Sequence, residues 1–152
     1  EPEKVLVPLD WDQRHTLNAT LTYHPINRAG LSFVFNYGSG FPYTTEFVGN
    51  RTSFENNARE PGTYNVDMKG YYNFLFMGVY QISAFVNVYN IFDIQNELTV
   101  YNDTGRSTYS LLPTYTPQTS GPGFNTLNEY LTRPDYYSRP RQIRMGLSLA
   151  IK

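Results

Sequence analysis

Asp10, Asp12 and His15 form the one cluster of acidic residues with a histidine in this chain. A metal centre needs three or four convergent ligands, usually steadied by a further layer of hydrogen bonds. These three residues sit at the start of an alternating segment and read as polar groups above it, so no metal site is expected. The chain has no cysteine, which excludes a disulfide scaffold and thiolate ligation. No Gly-rich phosphate cradle, paired catalytic carboxylates or framed nucleophile is present. The chain therefore reads as non-enzymatic, with no catalytic residue and no cofactor.

The chemistry that remains is recognition. The stretch 41–61 carries Tyr43, Phe47, Arg51, Phe54 and Arg59. The stretch 92–138 carries Tyr101, Arg106, Tyr109, Tyr115, Phe124, Tyr130, Tyr136 and Tyr137. Tyrosine and arginine bind well because they offer area, planarity and hydrogen bonds at modest entropic cost. The ligand-binding residues expected from these stretches are Tyr43, Arg51, Arg106, Tyr109 and Tyr115. The alternative is that they only hold the connections together.

Five segments must position these stretches, and each alternates with a period of two, the side-chain period of a strand. In the last, Ile143, Met145, Leu147, Leu149 and Ile151 oppose Arg144, Gly146, Ser148 and Ala150. In the first, Leu17, Ala19, Leu21 and Tyr23 oppose Thr16, Asn18, Thr20 and Thr22. The others carry Leu31 to Gly38, Tyr64 to Tyr72 and Tyr80 to Tyr89. Strands are expected over 14–24, 30–40, 62–73, 79–91 and 141–152. Asp67, Lys69, Asn87 and Arg144 fall on the polar face, where they are expected to face a water-filled lumen, with Asp67 and Lys69 close enough for an ion pair. Val34 and Phe85 interrupt that face. Glu97 to Tyr101 is expected to add a hairpin arm, with a turn at Asp103-Thr104-Gly105.

Strands of this length suit a membrane crossing better than a soluble sheet, whose strands mostly run to ~5–6 residues. Composition agrees. Aromatic residues make up 16% and charged residues only 16%, against ~25% charged in soluble domains. Mean hydropathy is nevertheless -0.47, as lipid-facing and water-facing positions in alternation produce. A net charge of -1 gives no electrostatic case for nucleic acid. No run approaches ~18 apolar residues. No leader opens the sequence, so a mature chain or a piece of a longer one is expected.

Connections alternate short and long, as periplasmic turns and extracellular loops do in outer-membrane barrels. Aromatics gather at both strand ends: Tyr23, Tyr72, Phe74, Phe76 and Tyr80 at one, and Trp11, Tyr37, Phe41, Tyr64 and Phe92 at the other. Such girdles mark the two lipid interfaces. Five strands cannot close a barrel, since the smallest have ~8. The fold class expected is all-β: an antiparallel transmembrane β-barrel, of which residues 1–152 form a C-terminal portion. Residues 1–10 read as the tail of a preceding extracellular loop, and the true C-terminus is expected slightly beyond Lys152.

Four segments carry a resemblance. Asp10-Trp11-Asp12-Gln13-Arg14-His15-Thr16-Leu17 resembles the opening of a late barrel strand in TonB-dependent outer-membrane receptors. Tyr37-Gly38-Ser39-Gly40-Phe41-Pro42-Tyr43 resembles that family's passage from strand to loop. Val88-Tyr89-Asn90-Ile91-Phe92-Asp93 is similar to its Asn-Leu-Phe-Asp box, with Ile for Leu. Pro140-Arg141-Gln142-Ile143-Arg144 resembles the Pro-Arg start of its last strand. The resemblance implies a barrel of about 22 strands, with this chain as about the last five, and a plug domain and TonB-binding motif upstream. It implies energised import of a scarce, large ligand such as a siderophore, a cobalamin, a glycan or a peptide. The partners implied are the rest of the barrel and its plug, the TonB complex, outer-membrane lipid and a surface lipoprotein, in the outer membrane of a Gram-negative-type bacterium. The rival readings are a passive porin-like barrel and a soluble aromatic-rich β-sandwich that binds carbohydrate.

Overall fold

A computed structural model of the chain describes residues 6–76, 78–116 and 126–151, without the side chains of Phe76 and Ile151. Phe124, residues 1–5, and the Phe76 and Ile151 side chains therefore lie outside the described residues. The chain divides into two compact units. A sheet unit takes Thr16–Tyr37, Tyr64–Ile94 and Arg139–Lys152. A connection unit takes Glu1–His15, Gly38–Thr63 and Gln95–Ser138.

The described elements, in chain order, are β1 (Thr16–Ile26), β2 (Ala29–Gly38), β3 (Pro42–Tyr43), β4 (Glu46–Phe47), β5 (Asn50–Arg51), β6 (Ala58–Arg59), β7 (Thr63–Phe76), β8 (Tyr80–Tyr89), α1 (Leu112–Tyr115), α2 (Leu127–Tyr130), a 3₁₀ turn (Pro134–Tyr136) and β9 (Gln142–Ile151). The fold is all-β and mostly antiparallel. Each long strand lies within a few residues of its alternating segment. The main sheet has the order β1-β2-β7-β8-β9, a meander whose edges are β1 and β9. Asn27 and Arg28 make the β1–β2 turn. Gly78, at φ 71°, serves the β7–β8 turn in a conformation that costs glycine little.

Register sorts the sheet into two faces. Across β7, β8 and β9, Met68 pairs Val88 and Val88 pairs Ile143, while Phe74 pairs Ile82 and Ile82 pairs Leu149. This face is apolar. On the other face Lys69 pairs Asn87, which pairs Arg144, and Asn73 pairs Ser83, which pairs Ser148.

Among the described residues the buried apolar side chains are only Val88, Val100 and Pro42. On the apolar face Met145 is 77% exposed and Leu147 76%. A soluble antiparallel sheet covers at least one face with another layer. Here neither face of the sheet unit is covered from within that unit.

The hairpin arm expected at 97–101 is not a strand. Its turn does form: the Gly105 N–H donates to the Tyr101 carbonyl at 2.8 Å and the Tyr101 N–H to the Arg106 carbonyl at 3.0 Å. Glu97 makes only an isolated bridge with Tyr137. Side chains replace the ladder, because Glu97 accepts from the Ser107 N–H and the Ser107 hydroxyl donates to the Thr99 carbonyl.

Candidate functional site

The polar face of the sheet unit brings together the sequence-predicted Lys69, Asn87 and Arg144, which stand in one row on three neighbouring strands. The Arg144 guanidinium lies 5.3 Å from the centre of the Tyr89 ring, within cation–π range. Asp67 does not pair with Lys69. Its Oδ1 accepts from the Asn65 side chain at 2.7 Å and the Asn90 N–H at 2.9 Å. Asn65 and Lys69 both stand two residues from Asp67 on β7, and it is the Asn65 amide, with the Asn90 N–H, that takes the carboxylate.

The next row holds Tyr71, Phe85 and Gly146. A side-chain carbon at Gly146 would stand 2.5 Å from Phe85 Cζ, and one at Gly30 would meet the Tyr71 ring. Two aromatic rings therefore lean over two glycines, so the phenylalanine that interrupts the polar pattern has a packing role.

Two segments of the resemblance meet where β8 ends and β9 begins. The buried Asn90 donates from Nδ2 to the carbonyls of Ile94 and Arg139 at 2.9 and 3.0 Å, and its Oδ1 accepts from the Ile94 N–H. Asp93 Oδ1 accepts from the Arg141 N–H at 2.7 Å. Both residues have φ near +55°, which Asn and Asp tolerate better than other residues.

All five expected ligand-binding residues lie in the connection unit. The Tyr43 hydroxyl lies against Gly105. Burial, then the charges of Glu60 and Asp103, push that hydroxyl up from its ordinary pKa. Arg106 is engaged by Glu97, with Nη2 to Oε1 at 2.5 Å and Nε to Oε2 at 3.2 Å. Tyr43 and Arg106 thus hold the unit together. Arg51, opposite Glu46 in the β4–β5 hairpin, is exposed, as are Tyr109 and Tyr115. The Tyr115 ring meets Phe47 edge-on at 4.8 Å.

The acidic residues of the first cluster disperse into structural contacts. Arg59 donates to Asp12, through both its carboxylate and its carbonyl, and to the Gly40 carbonyl. Asp10 accepts from Asn56 at 2.6 Å, and the His15 backbone pairs with Ser39. Among the described residues no group of three His, Cys, Asp or Glu is gathered for a metal ion.

The sequence reading missed Glu97 as the hub of the connection unit. It is only 9% exposed. Burial pushes its carboxyl up, but the Ser107 N–H and the Arg106 guanidinium outweigh that and hold it below its ordinary value. No short-range pattern marks a contact between residues nine and ten positions apart in an aperiodic loop.

No family model, no curated protein and no solved structure matches the chain.

Proposed function

We propose that the sheet unit is part of the wall of an outer-membrane β-barrel, and that the chain is a C-terminal portion of a TonB-dependent receptor importing a scarce, large ligand. The uncovered apolar face carries this reading. Met145, Leu147 and Leu149 expose most of their surface on a ten-residue strand, while Arg144, Gly146 and Ser148 alternate with them. Ten residues reach ~33 Å, which at a tilt of ~40° gives about the 25 Å height of an apolar barrel band. Lipid covers one face in this reading, and water or a plug covers the other.

The two open edges support it further. An unpaired strand edge in hydrocarbon costs several kcal/mol per polar group, so β1 and β9 require further strands on either side. The resemblance of four segments, in the family's order, supplies the receptor part of the proposal. The long connections join the same ends of the strands and would carry recognition outside the cell. A carbohydrate-binding sandwich would need a second sheet against the apolar face. The ladders β3–β6 and β4–β5 are two residues long and belong to the other unit.

The test is the native protein itself, fractionated from cells and sized by denaturing gel and intact mass spectrometry. The expected result is a detergent-extracted outer-membrane species several times heavier than 17.5 kDa, with a plug domain in the same chain. A 17.5 kDa species soluble without detergent overturns the proposal. A large barrel without a plug would make it a passive pore.

A further inference from the structure

The two units differ in charge. The sheet unit carries six Lys and Arg against Asp67 and Asp93 alone, whereas the connection unit carries six against eleven Asp and Glu. A surplus of one sign is a footprint for a partner of the other. Every ion pair among the described residues lies in the connection unit. Asp67 is the single carboxylate in the five long strands, and the Asn65 amide and the Asn90 N–H already occupy it.

The polar face is left with donors. Lys69 and Arg144 flank Asn87 in one row, and both are exposed. Among the described residues neither cation pairs with a carboxylate, and the Asn87 amide makes no hydrogen bond. The Tyr89 ring steadies the Arg144 guanidinium without taking its N–H groups. Neighbouring strands lie ~4.8 Å apart, so the two cations start about 10 Å from each other with the amide midway. Their side chains are long enough to converge on one group between them. Four residues further along β7, ~13 Å away, a recess of about 240 Å³ repeats this chemistry. Arg28 of the β1–β2 turn lines it with the amides of Asn27, Asn73 and Gln81, and among the described residues no carboxylate does.

We propose that the polar face of the sheet unit binds a solute bearing a carboxylate or phosphate group, held between Lys69 and Arg144 over Asn87. An oxyanion accepts charge-assisted hydrogen bonds from all three side chains, and a surface of one sign raises the local concentration of its counter-ion by roughly 10–10³-fold. A neutral solute would leave both cations unmatched. The place of this step in transport rests on the import reading and gives its ligand a negative charge; the binding itself needs only water at the polar face.

The test uses the native full-length protein in detergent, with any upstream cysteines replaced and Asn87→Cys as the sensor, which leaves both cations in place. Reaction rates are compared for a sulfonate-bearing and a trimethylammonium-bearing methanethiosulfonate, each normalised to its rate with a free thiol. The anionic reagent should be favoured tenfold or more at low salt, and Lys69→Gln with Arg144→Gln should remove most of that preference. Citrate or inorganic phosphate, compared with chloride at equal ionic strength, should slow the anionic reagent saturably, and the more protective of the two tells carboxylate from phosphate. Equal rates for the two reagents, reaction with neither, or no saturable protection overturns the proposal. A separate Leu147→Cys arm tests the barrel: labelling by the water-soluble reagents there overturns the barrel reading, while the ratio at position 87 still decides anion binding.

Discussion

The Phe85 ring occupies the space beside Gly146 where a side chain would begin, with Cζ 2.5 Å from that position. The pair sits in the middle of the β8–β9 ladder, on the polar face. Gly146→Ala forces the ring off its rotamer, and overpacking of this kind costs about 1–3 kcal/mol. The variant should lower the thermal midpoint of the chain, and Phe85→Leu in the same chain should restore most of the loss. A destabilisation that persists in the double variant would mean that the glycine is required for its backbone and not for the ring.

Glu97 should make the connection unit sensitive to acid. Its folded pKa lies below the ordinary value, so its contribution is fully present above ~4.3, the unfolded value, and is lost as pH falls through the depressed folded one. At pH 7 Glu97→Gln should cost about 1.5–3 kcal/mol, the worth of hydrogen bonds to a charged group. At pH 3 the gap between wild type and variant should shrink. Paired denaturant melts at the two pH values measure it, and a constant gap contradicts the assignment.

Val48 should be replaceable with profit. Val48 and Gly49, at φ 50° and 75°, are the two residues between β4 and β5, the type I′ pattern that favours Asn-Gly. A β-branched residue is out of place at positive φ. Val48→Asn should raise stability by about 1 kcal/mol, read as a shift of the denaturation midpoint. No shift, or a fall, would mean that the half-exposed valine side chain contributes more by contact than its backbone loses.

The sheet was legible because alternation is a local signal. The segment Ile143 to Ile151 needs no partner to declare its faces, and its observed pairing with β8 follows that alternation. The connections were not legible for the opposite reason. Arg106 looks like a ligand-binding arginine until Glu97 is seen beside it, and Asp67 looks like a partner for Lys69 until Asn90 turns its backbone toward it. Glu97 to Tyr101 has the β-branched and aromatic composition of a strand, yet a buried carboxylate at its first position draws it into side-chain bonds. Phe85 looks like a flaw in a polar face, and only the register, which sets Gly146 opposite it, gives it a role.

The most direct test of the membrane assignment is a cysteine scan of β9 with any upstream cysteines replaced, since residues 1–152 contribute none. Single cysteines placed at each position from 143 to 150, in the native protein in its membrane, can be labelled with a water-soluble maleimide and with a lipid-partitioning probe. The account predicts an alternation of period two. Arg144, Gly146 and Ser148 should give water-reactive positions, and Met145, Leu147 and Leu149 should give positions reached only through lipid. Uniform reactivity with the water-soluble reagent, or protection without alternation, would contradict a strand that separates lipid from lumen.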